Sequence, residues 1–162
     1  EWSNEVEAVF EGEIFNRQIF GFYCTNYLSY KSDNLIGQII KITPSVIGMQ
    51  GRVLLEGQRS FVVDSGPFEG ETMNLSQGCY LNPKTDIDNE LCDFQFPILK
   101  IDTVEFDGKT IYKILGSLLD ENDQEIFYHV YINASNIEDQ DALKLGEPFT
   151  GTGWLQAEIV DN

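Results

Sequence analysis

"FPILKIDTVEFDGKTIYKILGSLLDENDQEIFYHVYI", residues 96–132, decides the fold class. Its first arm ends at Asp107-Gly108, a dipeptide suited to a two-residue hairpin turn because both central residues must take positive φ. The next arm alternates Lys109, Ile111, Lys113 and Leu115 on one face with Thr110, Tyr112 and Ile114 on the other. After the polar turn DENDQ, the third arm sets Ile126, Tyr128, Val130 and Ile132 on a single face. Period-2 alternation bounded by turn chemistry reads as a three-stranded antiparallel meander.

Working outward, residues 6–15, 36–46, 51–57, 60–66 and 152–160 carry further strand patterns, with Pro44 expected at an edge or bend because it cannot donate to a ladder. Two stretches read as short helices. Ser135-Asn136-Ile137-Glu138 fits a capping box, and Phe20, Tyr23, Cys24, Tyr27 and Leu28 fall at helical spacing. The expected architecture is a single mainly β domain over 1–162. It is an antiparallel barrel of Greek-key or OB-like kind, or else a β-sandwich, with one or two short helices.

Phe-x-Gly recurs at Phe10, Phe68, Phe106 and Phe149, twice as FEGE. The spacing is irregular, which excludes a repeat array. These sites read as punctuation where strands meet turns or bulges, with Gly12, inside a strand, expected to mark a bulge or barrel corner. The chain has 162 residues and 42% hydrophobic content, enough for one core. It is expected to be soluble, because no stretch nears the roughly 20 apolar residues of a membrane span and no signal peptide opens the given chain. Cys24, Cys79 and Cys92 are too few and wrongly spaced for a zinc site or disulfide scaffold, and are expected to be buried free thiols.

Ten Lys and Arg against 27 Asp and Glu give a formal net charge of −17. Residues 64–162 alone carry twenty acids and five bases. Such a field disfavours nucleic acid, whose affinity comes from Lys and Arg on phosphates, and would steer a basic partner.

Catalytic signatures are missing. His129 is the only histidine, so no multi-histidine metal centre can form, and any Ser-His-Asp triad would have to use it. TGTG at 150–153 lacks the pattern of a phosphate loop and reads as strand bulges. The run from Asp86 starts like a calcium loop, yet Leu91 and Pro97 occupy the positions that need Gly and Glu. No cofactor or tight metal site is expected. A carboxylate pair for glycoside chemistry stays open, since only three-dimensional spacing identifies one.

These features favour a non-enzymatic acidic module that binds a basic protein. Asp86, Asp88, Asp120 and Asp123, in acidic loops around 86–93 and 120–125, would steer it, and Tyr27, Tyr30 and Trp154 would serve as contact anchors. A small acidic chain without catalytic residues resembles, in type only, the immunity and inhibitor proteins that cap basic toxins. The alternative is a carbohydrate-binding or carbohydrate-acting β domain that uses carboxylates and aromatics.

Overall fold

The computed structural model describes residues 8–14, 18–31, 35–84, 88–119 and 124–160. These residues are mainly β: among them ten strands form one mixed sheet, and two more form a separate hairpin. At the centre, β3 (Ile42–Val53) and β12 (Pro148–Ile159) run antiparallel along their whole length. The far edge of β12 is shared. β7 (Asp88–Pro97) lies antiparallel to its first half, and β2 (Gln18–Cys24) joins in parallel at Gln156 and Ala157. β1 (Ala8–Ile14) then pairs with β2, and β6 (Tyr80–Lys84) with β7.

On the other edge of β3 the expected meander appears as β8 (Lys100–Phe106), β9 (Lys109–Leu119) and β10 (Glu125–Asn133). Asp107 and Gly108 take φ of 48° and 68°, as the turn reading requires. Among the described residues three pairings are parallel: β10 on β3, the two-residue β11 (Ile137–Glu138) on β3, and β12 on β2. The expected mainly antiparallel domain is thus found as one mixed sheet.

The sheet does not close into a barrel. Its two flanks are joined instead by a bend in one chain segment, since β7 pairs with β12 and β8 with β9 across Ile98 and Leu99. There the Leu99 N–H donates to the Leu115 carbonyl at 2.9 Å and the Ile98 N–H to that of Glu147 at 3.0 Å. Pro44 lies one residue ahead of Ser45, where the β10 ladder begins, so β3 is still an edge strand on that side.

The core follows from the alternation. Phe94 and Phe96 of β7, Phe149 of β12 and Tyr128 of β10 form one aromatic layer, with ring centroids 5.2–5.9 Å apart. Glycines make room for it: a Cβ on Gly116 would run into the Phe96 ring, and one on Gly51 would lie 2.5 Å from Phe149 Cζ. The register between β3 and β12 shifts at Thr152/Gly153, as the TGTG reading anticipates. The extra residue lies in β3, so Met49 and Gln50 both face outward and Gly51 and Val53 resume the inward face. Gly12, by contrast, pairs with Phe20 in an unbroken ladder, without the expected bulge.

Neither helix reading survives. Phe20, Phe22 and Cys24 are buried at period 2 on β2, and only Tyr27–Tyr30 coil, as a 3-10 turn. Asn26 ties that turn to the last strand by accepting from the Ile159 N–H at 3.0 Å and donating to its carbonyl at 2.8 Å. At the second stretch, the Asn133 side chain accepts the Ser135 N–H and closes a 3-10 turn, Ala134–Asn136. Ile137 is then drawn into the core as part of β11.

Candidate functional site

Outward positions of β3 and β12 meet those of β6, β7 and β11 in a polar groove of about 520 Å³. Alternation supplies Gln50 and Arg52 from β3, and Thr150 and Thr152 from β12. Asp93 comes from β7, Tyr80 from the start of β6, Glu138 from β11, and Asn136 from the turn before it. The Thr152 hydroxyl donates to Asp93 at 2.6 Å, and Lys84 Nζ lies 3.1 Å from the other carboxylate oxygen. Asp93 is thereby fixed in place. Arg52 and Glu138 are register neighbours on parallel strands, yet among the described residues neither makes an ion pair. The groove thus combines an uncommitted guanidinium, an uncommitted carboxylate, two amides and a phenol, chemistry that both donates and accepts.

The expected site residues are scattered. Asp86, Asp120 and Asp123 lie outside the described residues, and Asp88 opens β7, so 88–93 is strand and not loop. Tyr27 is 3% exposed within the core beside Phe10, which removes it as a surface anchor. Tyr30 is half-buried and its hydroxyl donates to the Ile159 carbonyl at 3.5 Å. Trp154 faces outward on β12, in line with Thr150 and Thr152, with its ring edge-on to Tyr23 at 6.2 Å. It therefore shares the groove's face of the sheet. The groove residues went unread because each is an ordinary outward polar side chain. The two threonines were legible from alternation, but which strands adjoin them was not.

His129 also faces outward, on β10, 6.0 Å from the Tyr131 ring that carries Lys113 Nζ above it at 5.5 Å. Burial, then Lys113, hold its pKa below the usual imidazole value, against the pull of Asp102. The Asp102 carboxyl is itself held low, first by its 2.7 Å hydrogen bond from Lys100. Ser45 is the register partner of His129, but no hydrogen bond joins them, so these residues do not assemble a triad.

Burial pushes the Cys92 thiol up to about 12, with Asp93 adding to it, and its Sγ donates to the Gly153 carbonyl at 3.3 Å. Cys24 is buried too, whereas Cys79 is exposed, contrary to expectation. Among the described residues, no three His, Cys, Asp or Glu side chains cluster as metal ligands, and no helix is long and apolar enough to cross a membrane. Comparison with protein-family profiles, curated proteins and solved structures finds no match to this chain.

Proposed function

We propose that this chain is a non-enzymatic binding module for a basic protein partner. One observation carries the reading. The sequence has 27 acids and 10 bases, so the excess, a net charge of −17, has no cation of the chain's own to neutralise it. The acid excess is left to the solvent, where it raises the encounter rate with a cationic surface. Proteins recovered on the immobilised chain from its native source should be basic, and their association should slow as salt shortens the Debye length. Replacing Asp86, Asp88, Asp120 and Asp123 by Asn should slow association further and leave dissociation nearly unchanged. An acidic partner, or association indifferent to salt, would overturn the reading. As to architecture, we read the curled sheet as an opened relative of the small Greek-key barrels, with the bend at Ile98 and Leu99 in place of the closing ladder.

The groove favours a second reading, a hydroxyl-rich saccharide held by Gln50, Arg52, Asn136, Glu138 and Thr152, with Tyr80 of the groove, or Trp154 further along the same face, as an apolar platform. A glycan panel read by tryptophan fluorescence tests it. A response lost in Asn136→Ala supports it, and silence across the panel sinks it.

A further inference from the structure

Between β3 and β6 the chain leaves the sheet and forms a hairpin of its own, β4 (Ser60–Val62) on β5 (Thr72–Asn74). Its base is clamped. Arg59 donates to the Leu54 carbonyl at 2.9 Å and pairs with Glu147, while the Gln95 amide donates to the carbonyls of Leu75 and Gly78 at 2.8 and 3.2 Å. Above the base there is no core. Every residue from 60 to 74 is exposed except the half-buried Val63, and Phe61, Val62, Phe68 and Met73 stand 45–56% exposed. Phe61 and Met73 are directly opposed, so they share one face. A two-stranded hairpin gains little stability alone, and clustered exposed apolar side chains mark interaction surfaces.

We propose that this arm is the docking element for the basic partner, and that the partner's contact surface is an apolar cleft with a cationic rim. The proposal rests on the basic-partner reading above. Charge selects the occupant. Glu56, Asp64, Glu69 and Glu71 lie in the same segment as the apolar side chains, none of them in an ion pair among the described residues, and the arm's single cation, Arg59, is held by Glu147. A second copy would bring the same carboxylates and a net charge of −17 to the contact, and anionic lipid would meet the same repulsion. A cationic protein surface gains both the steering and the anchors.

The probe is a short peptide of alternating lysine and leucine, with its glutamate–leucine counterpart as control. The lysine peptide should bind the full chain and the glutamate peptide should not. Phe61→Ser, Phe68→Ser and Met73→Ser combined should weaken binding by about tenfold or more, with an unchanged melting temperature because no core side chain is altered. Glu69→Gln with Glu71→Gln should slow association and flatten its salt dependence. Equal binding to the triple variant would overturn the arm and leave the basic-partner reading standing. Failure of the lysine peptide to bind, or capture of the glutamate peptide, would sink that reading and the arm with it. Two further outcomes would replace the occupant: a dimer lost in the triple variant, or anionic vesicles bound by the wild type alone.

Discussion

The aromatic layer and the hairpin arm are both built with Phe side chains and differ in what lies across from them. Phe94, Phe96 and Phe149 are fully buried because β7 and β12 curl against β9 and β10. Phe61 and Phe68 lie outside the core cluster and stand about half exposed. Period-2 pattern therefore specifies strand in both places but inside and outside in only one, and the difference is topology. Where a strand receives a second layer its apolar face becomes core; where it receives none, the same face stays exposed.

The comparison breaks most visibly at Phe96. Its ring touches Phe94, Phe149 and Tyr128 and fills the space over Gly116. Phe96→Ala should cost about 4 kcal/mol, loss of burial plus a cavity, read as a lower urea midpoint at unchanged slope. Gly116→Ala approaches the same spot from the other side, with a Cβ that meets the ring. It should cost about 2 kcal/mol through overpacking, while Gly12→Ala, whose Cβ meets nothing within 4 Å, should cost nothing measurable.

Tyr128 is the opposite case. It is 1% exposed, its hydroxyl has no hydrogen-bond partner among the described residues, and burial drives its pKa well above the ordinary phenol value. Tyr128→Phe keeps the ring against Phe96 and removes the unsatisfied group. The melting temperature should rise, with a gain of about 1 kcal/mol. A loss would mean that the hydroxyl is satisfied in solution.

How far the sequence carries follows from how local each signal is. The meander was legible because its strands, its Asp107-Gly108 turn and its polar loop sit side by side. The pairing of β3 with β12 joins residues 96 to 117 positions apart, and no local pattern announces it or the parallel contacts beside it. β7 was read in part as an acidic loop because Asp86, Asp88 and Glu90 crowd its start; the burial of Cys92, Phe94 and Phe96 shows the alternation that this charge concealed. Helical spacing at Phe20–Leu28 was a coincidence of a strand running into a 3-10 turn. The groove draws side chains from five strands and a 3-10 turn, so it exists only once the topology is known.

On the exposed side of the sheet, His129 gives a smaller and pH-dependent effect. Its folded pKa lies below the unfolded value near 6.5, so the unfolded chain takes up the proton first. Stability contributed this way is present above about pH 6.5 and falls as pH drops through the folded pKa. His129→Gln should flatten the stability profile between neutral and mildly acidic pH, as read by melting temperature in a pH series. A slope unchanged by the substitution would place its origin elsewhere.

The smallest effect is expected at the arm, and its smallness is the point. Phe61, Phe68 and Met73 contribute little to burial, so replacing all three by Ser should shift unfolding by no more than about 0.5 kcal/mol, the range of ordinary surface changes. Arg59→Ala, at the base, removes a hydrogen bond to Leu54 and the pair with Glu147. It should cost about 1 kcal/mol and raise amide exchange across residues 60–74 while leaving β7 protected. That split would show the arm to be a separate cooperative unit hinged on its clamp, and not an extension of the core. If the triple Ser variant destabilised the protein as strongly as Phe96→Ala, the arm's aromatics would be packing against the chain's own body in solution, and the contrast between the two regions would collapse.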